Sequence, residues 1–130
     1  MDIIGFVQME NKERSMSYDL RICVKIEGLN KYVDIDAPEY DSPTYNLGDM
    51  FRACMDWDYV QGQEYLCYFV IKKIEHGLRE LRMNRKEYEK YNPPNGWGDL
   101  DGAIRVLESL RKCIYENAED IPINHLYMRW

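Results

Sequence analysis

Residues Tyr18 to Ile26, YDLRICVKI, alternate without a break: Tyr18, Leu20, Ile22, Val24 and Ile26 point one way, and Asp19, Arg21, Cys23 and Lys25 the other. Side chains on a strand switch faces at every residue, so a period of two predicts a strand with one buried face. Glu27-Gly-Leu-Asn-Lys31 supplies a turn, and Tyr32–Asp36 reads as the returning strand of a hairpin. A half-buried hairpin needs something to lie against it, and the rest of the chain offers helices. Asn46 is expected to cap a short helix that presents Leu47, Met50, Phe51 and Cys54 on one face. Trp57–Gly62 breaks it. The longest helix is expected over Glu64–Arg82, with a stripe of Leu66, Val70, Ile74, Leu78 and Leu81 and a supporting Glu75–Arg79 pair. A last helix, capped by Asp99 or Asp101, faces inward with Leu100, Ala103, Ile104, Leu107, Leu110 and Ile114.

Pro122 ends that run, and Ile123–Trp130 reads as a final strand. Strands, then about three helices, then one strand predict an α+β domain: a small antiparallel sheet, made of the N-terminal hairpin plus the C-terminal strand, packed against the helices. The domain spans residues 16–130. Residues 1–15 read as an N-terminal extension, with Met16 as an alternative start, or as an edge strand through DIIGFVQ. A chain of 130 residues can bury a core without disulfide or metal support.

No apolar run approaches the roughly 18–20 residues that cross a bilayer. The opening MDIIGFVQMENKER has an acidic second residue and lacks the cationic start of a secretory signal. The four cysteines are widely separated, show no metal-ligand spacing, and read as buried hydrophobes in a reducing cytoplasm. Net charge is −6, and it is unevenly placed: the stretch from Asp34 to Glu64 holds eight acids and one base, Arg52, while the remainder is +1. Such a block repels phosphate, which disfavours direct nucleic-acid binding, and attracts a basic surface.

Little in the pattern is catalytic. His125, in the expected final strand beside Ile123 and Tyr127, could serve as a general base, and Asp34 and Asp36 are expected to share one strand face. Asp56 and Asp58 flank Trp57. None of these pairs is joined by a metal-ligand spacing, a phosphate loop or a nucleophile elbow, so no catalytic residue, metal or cofactor is assigned. His76 reads as a solvated helix residue.

The excess lies in aromatic and amide side chains at loops and helix ends: Tyr40, Tyr45, Asn46, Trp57, Tyr59, Tyr65, Tyr88, Tyr91, Asn92, Asn95 and Trp97. Rings stack on bases and cations, and amides read hydrogen-bonding edges, which is the equipment of a pocket or an interface. Trp97, held in Asn95-Gly-Trp-Gly98, is expected to anchor either the core or a ligand.

The stretches SPTYNLGDMFRACMDWDY, EKYNPPNGWG and the terminal LYMRW resemble small accessory proteins of phages and mobile elements of gut Firmicutes, over residues 16–130. The resemblance implies a host bacterial cytoplasm and an anti-defence role, either as a sponge for nucleotide immune signals or as an acidic mimic of DNA. The leading expectation is a non-enzymatic protein that sequesters a small nucleotide-like ligand, with Tyr45, Trp57, Tyr59 and Trp97 stacking on a base. Asn46, Asn92 and Asn95 would read its edges, and Arg52 or Arg129 would meet phosphate. The alternative is an inhibitor whose Asp34, Asp36, Asp56 and Asp58 cover the basic groove of a host defence protein. A third is a small hydrolase using His125 with Asp34 or Asp36. A homo-oligomer is compatible with each.

Overall fold

A computed structural model describes residues 19–42, 44, 46–94 and 98–130. The expected strand at residues 2–8, and the site candidates Tyr45, Asn95 and Trp97, lie outside the described residues.

The chain forms an α+β fold. A four-stranded antiparallel sheet contains β1 (Arg21–Lys25), β2 (Tyr32–Asp36), β3 (Glu64–Leu66) and β4 (Leu126–Arg129), in the order β2-β1-β4-β3. The four described helices are α1 (Gly48–Met55), α2 (Cys67–Met83), the short α3 (Arg85–Glu89) and α4 (Leu100–Ala118). The hairpin and the C-terminal strand meet as the alternation requires: Ile22 pairs with Met128 and Val24 with Leu126. Ile22, Leu126 and Met128 are fully buried in one core with α1, α2 and α4. Each such side chain contributes about 1.5–3 kcal/mol by leaving water.

The stripe of α1 is buried as its spacing predicts, with Leu47, Met50, Phe51 and Cys54 all inaccessible. Its cap is different. Asn46 sits one residue too early, in the left-handed region at φ 61°, and Leu47 occupies the cap position without a side-chain bond. On α4, Asp99 is the cap, accepting from the Gly102 amide at 2.7 Å.

Glu64–Leu66 is a strand rather than the first turn of α2, and α4, with 19 residues, is longer than α2, with 17. The strand wins because Tyr65 and Leu66 lie opposite Met128 and Tyr127 of β4, where the sheet supplies the backbone partners that a helix N-terminus lacks. Leu66 is therefore exposed and not part of the α2 stripe. Glu75 does not pair with Arg79; it accepts instead from the Tyr115 hydroxyl of α4 at 2.8 Å. Gly77 lets α2 approach its neighbours closely: a Cβ there would lie 2.7 Å from Met55 Cγ, 3.2 Å from Cys54 Sγ and 3.3 Å from Leu107 Cδ1.

A β-bulge overturns the expectation that Asp34 and Asp36 share a face. Cys23 pairs with Asp34, but its neighbour Ile22 pairs with Asp36, so Ile35 is an extra residue in β2. One extra residue reverses the alternation. Asp34 lies with Cys23 and meets Arg129 at 2.8 Å, whereas Asp36 turns to α4 and accepts from Asn117 Nδ2 at 2.8 Å and from the Cys113 thiol at 3.6 Å.

Candidate functional site

The end of α1 builds the most distinctive surface. Asp56 adopts the left-handed conformation at φ 49°, a role an Asp side chain tolerates, and its amide donates back to Ala53 O at 3.3 Å. That reversal carries Trp57 towards the β3 end of the sheet. Its ring meets Tyr65 at 4.8 Å, Tyr59 and Phe69 at 5.3 Å, and Trp130 at 5.8 Å, in each case edge to face. Such pairs add about 0.5–1.5 kcal/mol each beyond their buried area.

The cluster has two sides. Inward, Tyr59 and Trp130 belong to the core at 2% and 1% exposure, and Phe51 stands edge-on to Trp130 at 5.9 Å. Outward, Val60, Tyr68 and Phe69 are exposed, at 59%, 53% and 41%, whereas Leu66, paired with Tyr127, lies on the Arg129 side of the sheet. Half-buried Trp57 joins the two. Tyr65 fixes the loop by accepting from the Val60 amide at 2.9 Å and donating to its carbonyl at 3.4 Å. Charges ring the patch: exposed Asp56 and Asp58 on one element, and Lys72 and Lys73 on α2, 4.2 Å from the Tyr68 ring and 5.5 Å from the Phe69 ring. Lys73 Nζ also donates to Asp56 O at 3.1 Å.

The residues expected to hold a nucleotide are placed differently. Arg52 lies 4.3 Å over the Tyr59 ring and donates from Nε to Tyr59 O at 3.2 Å, so it pins the loop to α1. Tyr59 is core and shows no face to a guest; burial of its ring among Trp130 and Trp57 explains the departure. Arg129 is engaged by Asp34 and by Glu64, the latter at 3.2 Å. Asn46 is exposed before α1, and Asn92 is exposed in the turn after α3, beside the stacked Tyr88 and Tyr91. Arg52, Trp57 and Tyr59 come together as packing; Arg129 is committed to the opposite face of the sheet.

The acidic block is likewise divided. Asp34 and Glu64 share Arg129, Asp36 is bound to α4, and Asp41 faces Arg105 at 3.3 Å. Asp56 and Asp58 remain at the edge of the aromatic patch, with Arg52 4.0 Å from Asp58. His125 falls in a 3-10 turn, Ile123–His125, and not in the final strand. Asp34 and Asp36, its expected partners, are bound elsewhere as described.

All four thiols are buried, and burial pushes them up: Cys23 to about 11, and Cys54, Cys67 and Cys113 to about 12. Thiols held neutral in this way are not poised as nucleophiles at neutral pH. Among the described residues, no three His, Cys, Asp or Glu side chains gather as metal ligands.

Phe69 and Tyr68 escaped the sequence reading because they follow the α2 stripe directly. The only signal was compositional, three rings within five residues at Tyr65, Tyr68 and Phe69; helical spacing cannot relate them, since Tyr65 belongs to β3. No known protein family, curated protein or solved structure matches the chain.

Proposed function

We propose that the chain is a non-enzymatic binding protein whose partner is another protein, held on the Trp57 face, as expected of an inhibitor that covers a basic site. The single observation that supports this reading is the two-sided aromatic cluster. Val60, Tyr68 and Phe69 stay in water while Trp57, Tyr59 and Trp130 hold the backbone beneath them. Preorganised aromatic side chains ringed by charge are the usual makings of an interface hot spot. The partner is apolar where it covers Phe69 and Val60, with basic groups to meet Asp56 and Asp58 and acidic ones on the side of Lys72 and Lys73.

This reading keeps Asp56 and Asp58 as partner-binding residues and releases Asp34 and Asp36, which are exposed but engaged by Arg129 and by Asn117. It is favoured over stacking of a nucleotide at Trp57, since Tyr59 and Arg52 are consumed by packing there.

The test is capture on immobilised protein from a lysate of a Firmicute host, followed by affinity measurement with the purified partner. A Phe69→Ser, Val60→Ser variant is expected to lose the partner while remaining folded, with an unfolding midpoint lowered less than that of Trp57→Ala. Asp56→Asn, Asp58→Asn is expected to weaken binding and flatten its salt dependence. Equal capture by the wild type and the Phe69→Ser, Val60→Ser variant would reject the proposal.

A further inference from the structure

A second site lies away from the Trp57 face. The loop between β2 and α1, the outer side of α4 and the end of α2 line an open, shallow cleft of about 800 Å³. Pockets of roughly 300–1,000 Å³ are the size that takes a small-molecule ligand. On α4, Arg105, Glu108, Lys112 and Tyr115 recur at steps of three and four and so share one side of the helix. Arg111 joins them, Arg82 faces them from α2, and Tyr40 closes the loop side. Four cations thus share the cleft with three acids, Glu39, Asp41 and Glu108, a small positive excess in a chain whose net charge is −6.

Two of those cations are aimed by acids. Arg82 meets Glu108 at 2.7 Å, and Arg105 meets Asp41 at 3.3 Å. Both pairs are about half exposed or more, so they are weakly held and leave the guanidinium groups oriented yet exchangeable for a stronger anion. Arg111 stands 5.7 Å from the centre of the Tyr115 ring, and the Tyr115 hydroxyl is tied to Glu75, which fixes that ring while leaving it 46% exposed. A smaller cleft of about 330 Å³ adjoins, sharing Arg82 and Arg111 and adding Arg79. The cations therefore extend past the rings in one direction.

We propose that this cleft binds a nucleotide carrying two or more phosphates, with the base against Tyr115 and Tyr40 and the phosphates along Arg111, Lys112 and Arg82 towards Arg79. Guanidinium groups suit this ligand because their paired N–H donors match phosphate oxygens, and a ring face accepts any base. The cleft uses none of the Trp57 cluster, so its occupancy is independent of protein binding there.

The experiment is calorimetric titration of the whole protein with ATP, GTP, UTP, CTP and cyclic di-AMP, alongside adenosine and inorganic triphosphate. At least one nucleotide is expected to bind more tightly than about 1 mM in 150 mM salt, and adenosine not to bind. Arg111→Ser, Lys112→Ser is expected to weaken that nucleotide at least tenfold with an unchanged urea midpoint, since both side chains are exposed. Tyr115→Leu is expected to weaken the nucleotide but not triphosphate. No binding by any nucleotide overturns the proposal. So does binding of triphosphate as tight as that of the nucleotides and unmoved by Tyr115→Leu, which would make the cleft a bare polyanion site.

Discussion

The Arg129 guanidinium on β4 reaches across β1 to meet the Asp34 carboxylate on β2 at 2.8 Å, two strands away. The same side chain donates to Glu64 on the other neighbouring strand at 3.2 Å, so one cation ties both edges of the sheet to its centre. Arg129→Met is expected to lower stability by about 1–2 kcal/mol, because two carboxylates lose their shared partner. Urea unfolding checks this. Asp34→Asn added to Arg129→Met should cost less than the sum of the single changes, which a double-mutant cycle reads directly.

Trp57 and Phe69 touch, yet their removal is expected to differ in cost. Trp57→Ala removes a half-buried ring from contact with Tyr59, Tyr65 and Trp130, and should destabilise by about 2–3 kcal/mol. Phe69→Ser removes a ring that is 41% exposed but rests edge-on against Trp57, and should destabilise by about 1 kcal/mol, less than Trp57→Ala. Thermal denaturation of the two variants side by side tests the two-sided description of the cluster.

Gly77→Ala sets helix propensity against packing. Alanine gains about 1 kcal/mol in a helix interior. The new methyl would stand 2.7 Å from Met55 Cγ, with Cys54 and Leu107 close behind. Overpacking of this kind costs about 1–3 kcal/mol, so the net change is expected to be destabilising, read as a lower urea midpoint.

The thiols predict alkaline sensitivity. Unfolded cysteines ionise near pH 8.5. The folded ones hold their protons to about 11 or 12, chiefly through burial. Their folded values are raised, so their contribution is complete below pH 8.5 and is lost as pH climbs towards those values. Stability should therefore fall steadily above pH 9. In native protein at pH 8 a thiol reagent should react slowly with all four cysteines, and rapidly once urea is added.

Asp36 predicts the opposite limb. Its hydrogen bond from Asn117, then that from the Ala37 amide, holds its carboxyl below the usual range. The stability it supplies is present above pH 4 and lost as pH falls through its lowered folded value. Asp36→Asn should destabilise slightly at pH 7, by about 0.5 kcal/mol given its exposure, and the gap from wild type should close in acid.

The helices and the hairpin were legible because each is written in a period. The stripe Leu47, Met50, Phe51 and Cys54, and the alternation of Ile22 and Val24, depend only on which side meets the core. The bulge at Ile35 was not legible, since VDID alternates as well as any regular strand and only pairing with Cys23 and Ile22 reveals the extra residue. The strand at Glu64–Leu66 was hidden for a similar reason: its partners are about sixty residues distant, and locally it continues a good helix pattern. For the site, the sequence drew attention to Trp57, Asp56 and Asp58 by their composition. It could not tell Tyr59, which is core, from Phe69, which is surface, because both are rings beside a turn and only three-dimensional neighbours separate them.

The surplus residue in β2 makes local backbone path, and not only composition, a determinant of this protein's chemistry. Deleting Ile35 would set Asp34 and Asp36 side by side, and neighbours on a regular strand face opposite ways, so Asp34 would stay with Arg129 and Asp36 with Asn117. Straightening the strand with Ile35 kept would instead bring Asp36 to the side of Asp34, crowding Arg129 with a third acid and leaving the amide of Asn117 without its acceptor. A strand shortened by one is therefore compatible with the residues that receive both carboxylates.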